Sequence, residues 1–239
     1  MKIAIYGDSF ATSHLPQNPN SWYRLLAGRL NADIETYAYG GTSVYWTYNN
    51  FLDNYAKYDL NIVLITDPCR YTKKSILPNI QYIPNISNLA WAKSQIENIT
   101  PEQEISIRDL EGWYMMSDET FMRDMTELMI RDMKTTFLNT IVYPCFRQSF
   151  TDSRLAQMGI TNEMCMYKLY EFQCNQLKIG DIEDNAMNEQ LDTMCCHLGP
   201  ELNKFFADVM YNGIVNGIWS FDGLETVRLQ HPIDFYYKV

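Results

Sequence analysis

The sequence predicts an α/β fold: a mainly parallel sheet with helices on both sides, making a three-layer α/β/α sandwich. Short β-rich runs at 3–6, 33–38 and 60–66 each end in small or turn-forming residues, as strands buried in a parallel sheet do. Helical patterns fall between them. One runs through Trp22, Leu25, Leu26 and Leu30 with Asn20 as its cap, and an aromatic-rich one covers 43–57. The resulting β-α-β-α-β order calls for parallel strands, with functional groups gathered on loops beyond their carboxyl ends. Ser9, Gly41 and Asp67 fall on those loops.

Further along, residues 70–86 hold two prolines and no steady periodicity, which reads as a long loop over the active edge of the sheet. Ser87 is a cap for a helix through Leu89, Trp91, Ala92 and Ile96 that ends near Pro101. A clearer helical pattern over 118–134 places Phe121, Met125, Leu128, Met129 and Asp132 in register. Residues 140–143 form a fourth strand stopped by Pro144, and another helix follows from Thr161. The segment 199–218 has Pro200 in its first turn and Leu202, Phe205, Phe206, Val209 and Met210 on one face. The mixed tail after it is expected to cover the sheet. Residues 1–239 therefore read as one domain, with an insertion or lid region around 70–135 and no repeat or flexible linker.

Composition narrows the partners. The 239 residues are 46% hydrophobic, enough for one sizeable core. No apolar run approaches the roughly 18–20 residues that cross a bilayer. The first apolar stretch gives way at once to Gly7-Asp8-Ser9, which fits a first strand rather than a secretory signal and implies a cytoplasmic location. A net charge of −10 opposes nucleic acid phosphates and anionic membranes as partners. The six cysteines show no paired zinc-ligand spacing, so reduced thiols are expected. Cys195-Cys196-His197 lacks the second ligand pair of a closed zinc site, and no metal is expected.

Three stretches carry chemistry. Residues 3–6 lead into Gly7-Asp8-Ser9-Phe10, where Gly7 permits a sharp turn and Asp8 can bond to backbone amides, standing the Ser9 hydroxyl at a strand end. The second strand leads to Tyr39-Gly40-Gly41-Thr42-Ser43, whose glycines either expose amides beside that serine or simply make a left-handed turn capped by Ser43. Near the end, Asp192-Thr193-Met194-Cys195-Cys196-His197 precedes the last helix. The chain has three histidines, His14, His197 and His231, as candidate bases; His231 sits in a proline-containing tail, and His197 stands just before that helix.

Taken in order, these blocks resemble those of the SGNH (GDSL-like) hydrolase superfamily. The resemblance implies a flavodoxin-like sandwich with Ser9 as nucleophile, His197 as base, and the amides of Ser9 and Gly41, with Gly40 the alternate, as oxyanion donors. The family's last block has Asp three residues before His. Here that place is Met194, and Asp192, five residues upstream, is the candidate triad acid; otherwise a backbone carbonyl supports a Ser-His dyad. The third block departs as well, because Thr66-Asp67-Pro68-Cys69-Arg70 stands where the family has Gly-x-Asn-Asp. Losing one oxyanion donor typically costs about 3 kcal/mol of transition-state stabilisation. Arg70 is the candidate substitute, donating to an oxyanion or binding a substrate carboxylate; its other reading is an ion pair with a nearby acid.

The implied activity is a serine esterase or deacylase acting on an O-acyl or acetyl ester of a small molecule or a glycan, with no cofactor. Tyr45 and Trp46, just after the glycine loop, are the candidate stacking surfaces, whereas Trp22, Tyr23, Tyr37, Tyr39 and Tyr48 are first of all packing residues. The variant third block and the Asn- and Tyr-rich composition are similar to SGNH-like proteins encoded by tailed bacteriophages, which implies a host cytoplasm. The competing reading is a non-catalytic module of the same fold that binds a glycan or a protein.

Overall fold

The four-stranded sheet is parallel throughout, and its first strand lies inside it. In chain order the elements are β1 (Lys2–Gly7), α1 (Trp22–Leu30), β2 (Asp33–Ala38), α2 (Val44–Asn54), β3 (Leu60–Ile65), β4 (Lys73–Lys74), β5 (Tyr82–Ile83), α3 (Pro101–Met116), α4 (Glu119–Thr136), β6 (Thr140–Pro144), α5 (Met166–Leu177) and α6 (Pro200–Asn216). The strand order is β2-β1-β3-β6. The computed structural model describes residues 1–11, 21–68, 70, 73–74, 82–83, 89–90, 93–94, 96, 98–116, 118–145, 165–177 and 198–229. Asn20, Ser87, Trp91, Ala92 and Thr161, each given a helical role above, lie outside these residues; the N-cap position of α1 is Ser21, not Asn20, because the helix begins at Trp22.

Alternation along each strand divides the core. Ile3, Ile5, Ile62, Leu64 and Tyr143 face Trp22, Tyr23 and Leu26 of α1, Met166 and Leu169 of α5, and Leu202, Phe206 and Met210 of α6. Ala4, Tyr6, Val63, Ile65 and Val142 face Val44 and Phe51 of α2 and Met129, Ile130 and Met133 of α4. Helices therefore cover both faces, and β1 and β3 are apolar along nearly their whole length because neither side meets water. Each fully buried Ile or Leu contributes about 1.5–3 kcal/mol relative to exposure.

Chain order also fixes where a ligand site can form. From β1 the chain crosses to β2 on one side, then returns past β1 to β3 on the other. Right-handed crossovers put α1 and α2 on opposite faces, as the two core clusters show. The loops after β1 and β3 consequently part at the carboxyl edge, the switch point where open α/β sheets bind ligands.

Several elements differ from expectation. Pro101 opens α3 rather than ending the helix before it: Thr100 and Gln103 exchange backbone and side-chain bonds, Thr100 N to Gln103 Oε1 at 2.9 Å and Gln103 N to Thr100 Oγ1 at 3.3 Å. This reciprocal cap tolerates proline at the first helical position, where the missing N–H has no helical partner. The expected long loop over 70–86 contains an antiparallel pairing of β4 with β5. In α4 the buried face is Thr126, Met129, Ile130 and Met133, while Phe121, Met125 and Leu128 are exposed. Asp118 caps that helix, accepting from the amides of Thr120 and Phe121. Tyr48 of α2 donates to Asp132 Oδ2 at 2.6 Å and ties α2 to α4; this bond, with burial adding to it, pushes the Tyr48 hydroxyl up to about 12. In the tail, Trp219, Phe221, Leu224, Val227 and Leu229 pack on the α1/α5/α6 side. Leu89, Ile107 and Leu110 make a separate small cluster. Among the described residues no helix is long and apolar enough to cross a membrane.

Candidate functional site at the carboxyl edge of the sheet

The loop after β1 is a closed turn. Ala11 N donates to the Asp8 carbonyl at 3.0 Å, and Phe10 N donates to Asp8 Oδ1 at 3.1 Å. Half-buried Ser9 sits between, and neither bond uses its amide or hydroxyl. Such an Asx turn is what a short acceptor side chain at its first position produces. Trp22 fixes the far side, its Nε1 donating to the Phe10 carbonyl at 2.9 Å while its ring packs edge-on against Phe206. Gly7 is required by close approach, since a Cβ there would lie 2.9 Å from Ala11 Cβ and 3.0 Å from Leu64 Cβ. We expect Gly7→Ala to cost about 1–3 kcal/mol through overpacking, measurable as a lower midpoint in urea with an unchanged slope.

Asp8 is fully buried, and its second oxygen turns toward the loop after β3. Asp8 Oδ2 accepts Thr66 Oγ1 at 2.6 Å and Arg70 Nη1 at 2.9 Å. Arg70 is itself largely sheltered, with 19% of its side chain exposed, and its amide closes a turn onto the Asp67 carbonyl at 3.1 Å. A carboxylate taken out of water is tolerated only when paired and hydrogen-bonded. Here a guanidinium, a hydroxyl and an amide do both. The pairing of β1 with β3, Tyr6 opposite Val63, brings the two loops side by side.

The loop after β2 closes against the same edge. Tyr39 N and Thr42 Oγ1 both donate to the Gly7 carbonyl, each at 3.3 Å, and Thr42 also bonds the Tyr39 carbonyl through its amide and its hydroxyl. The Gly40-Gly41 turn is thereby held against the strand end that carries Ser9. Gly41 has φ 78°, a left-handed value that favours glycine. Ser43 accepts from Trp46 N at 3.3 Å and caps α2. Tyr45 is exposed and Trp46 half-buried.

β6 ends at the same rim. Cys145 N donates to the Ile65 carbonyl at 2.8 Å, and its sulfur lies 3.9 Å from Met166 Sδ. Burial, with Asp8 and Cys165 adding to it, pushes the Cys145 thiol well above its ordinary range. Cys145 and Cys165 are both buried.

His14, Asp192, Cys195, Cys196, His197 and His231 lie outside the described residues. The residue that follows His197 is described, and it is tethered. Asn203, in the first turn of α6, donates from Nδ2 to the Leu198 carbonyl and accepts from Trp22 N on Oδ1 at 3.0 Å. Because the Trp22 indole holds Phe10, Leu198 connects to the Ser9 turn through two side chains.

The solved structures similar to this chain include esterases and lipases. An esterase from Pseudoalteromonas sp., inhibited by monoethylphosphonate, is 11% identical over 90% of this chain and 97% of its own, with a TM-score of 0.45. An acetyl xylan esterase is 13% identical over 90% of this chain and all of its own, with a TM-score of 0.47. A lipase/acylhydrolase from Enterococcus faecalis is 11% identical over 96% of this chain and 98% of its own, with a TM-score of 0.41. No protein-family model and no curated protein sequence matches the chain.

Position in sequence pointed to Ser9, to the glycine loop and to Asp8 as a turn former. The roles of Thr66 and Asn203 were missed. A signal for Thr66 existed, because an acidic residue ending an interior strand needs donors, and the next strand over ends Thr66-Asp67-Pro68-Cys69-Arg70. Asn203 gave none, since its partner Trp22 is 181 residues away.

Proposed function

We propose that this chain is a serine esterase or deacylase of SGNH type that hydrolyses an O-acyl ester, an acetyl ester being the simplest case, on a small molecule or a carbohydrate. The observation that carries this reading is the fixed turn holding Ser9 at the switch point of the sheet, with the Gly40-Gly41 loop bonded to the same strand end. The tether from Leu198 through Asn203 and Trp22 supports His197 as the group that completes it.

In the proposed reaction His197 takes the Ser9 proton as Oγ bonds to the acyl carbon. The amides of Ser9 and Gly41, or alternatively Gly40, hold the oxyanion, and Asp192 orients the imidazole. His197 then protonates the departing alcohol. A water molecule, deprotonated by His197, releases the acyl group from Ser9. Tyr45 and Trp46, at the start of α2 beside the glycine loop, are proposed to stack against the body of the substrate.

A fluorophosphonate probe tests this reading, because it reacts with an activated serine and not with an ordinary hydroxyl. Whole-protein mass is expected to rise by one phosphonyl group in the wild type and not in Ser9→Ala. No adduct on the wild type would instead favour the non-catalytic binding module, which the missing third-block Asn also allows.

A further inference from the structure

We propose that Arg70 is a positioning residue that holds the Ser9 turn in its working shape by way of the buried Asp8 carboxylate. The inference rests on the serine-hydrolase reading for its catalytic part, and on geometry for the rest. Asp8 precedes Ser9 directly and is fully buried, and its two oxygens face different ways: Oδ1 takes Phe10 N inside the turn, whereas Oδ2 takes Thr66 and Arg70 from the loop after β3. The carboxylate is thus the joint between the loop bearing the nucleophile and the neighbouring loop. Arg70 supplies the positive charge in this joint.

Without that charge the joint loosens for a stated reason. A buried carboxylate that loses its cation relaxes by admitting water or by rotating toward other donors. Each route weakens its hold on Phe10 N, one residue beyond Ser9, and small misplacements of a reacting group cost as much as ~100-fold in rate. A direct role for Arg70 on the oxyanion predicts something different. In that case its effect does not depend on Asp8.

A double-mutant cycle on the full chain separates the two, with p-nitrophenyl acetate as the probe substrate. Arg70→Met is expected to lower kcat ~10- to 100-fold with KM changed by less than ~2-fold, and Arg70→Lys to recover much of the loss. In an Asp8→Asn background, where the side chain is neutral and needs no cation, Arg70→Met is expected to change kcat by less than ~2-fold. Full loss in that background, or wild-type kcat in the folded Arg70→Met protein, overturns the proposal.

Amide hydrogen exchange supplies an arm that needs no activity. The amides of Phe10 and Ala11 are expected to exchange at least ~10-fold faster in Arg70→Met than in the wild type under native conditions. Unchanged exchange overturns the proposal. If the wild type fails to hydrolyse the ester, the proposed function falls, and exchange alone decides whether Arg70 orders the turn. Should Arg70→Met not fold, Arg70→Lys and Thr66→Val are compared in the same way, with smaller shifts of the same sign expected.

Discussion

Ser9→Ala is expected to lower kcat for p-nitrophenyl acetate by at least ~1,000-fold while leaving KM near the wild-type value, because the lost hydroxyl acts on the reacting carbon and not in ground-state binding. Some rate above that in water alone should survive, since backbone amides still stabilise an oxyanion when the nucleophile is gone. Stability should barely move. The turn is closed by the Asp8 carbonyl and carboxylate, not by the serine hydroxyl, and a half-exposed Ser→Ala change falls within about 0.5 kcal/mol of the wild type. Equal hydrolysis by the two proteins would remove Ser9 from the chemistry.

The largest effect on stability is expected at the neighbouring position. Asp8→Ala leaves the Arg70 guanidinium, the Thr66 hydroxyl and the Phe10 amide without the acceptor they share. Removing one member of a buried ion pair typically costs about 3–5 kcal/mol. At roughly 2–4 °C per kcal/mol for a chain of this size, the melting temperature should fall by on the order of 10 °C. Asp8→Asn keeps one of the two acceptor oxygens and replaces the other with an NH2 donor, so part of the donor set stays satisfied and its fall should be smaller than that of Asp8→Ala. Calorimetry on the three proteins gives the ranking, and an Asp8→Ala melting temperature equal to that of the wild type would mean the network contributes nothing to folding.

The sheet was legible in the sequence because its strands are buried on both faces: residues 3–6 and 60–66 are apolar apart from Asn61 and Thr66 and stop at turn formers. Ser43 signals its helix through local chemistry, a side-chain oxygen meeting the amide three residues on; Asp118 caps the helix of the 118–134 pattern in the same way, a role its spacing alone did not show. Pro101 misled because proline stops a helix from inside yet starts one from its first position, and Thr100 with Gln103 decides which. Phe121, Met125 and Leu128 have helical spacing without being buried, since spacing defines a stripe but not what lies against it. The pairing of β4 with β5 rests on two residues in each strand, too few to leave a periodic trace.

The site divides along the same line. Gly7, Asp8 and Ser9 were readable because the turn is built from consecutive residues. The grip of Arg70 on Asp8 spans 62 residues and depends on the register of β1 against β3. The Asn203 bridge depends on α1 lying against α6. Neither is a property of a short stretch of chain.

The most direct measurement is crystallographic: the separation of Ser9 Oγ from the nearer His197 ring nitrogen. If the chain just before Leu198 delivers the base to the rim that carries Ser9, that distance is expected at about 2.6–3.2 Å, or somewhat longer without substrate. An imidazole on the opposite side of the sheet from the hydroxyl would contradict the hydrolase reading and leave only the layered fold standing.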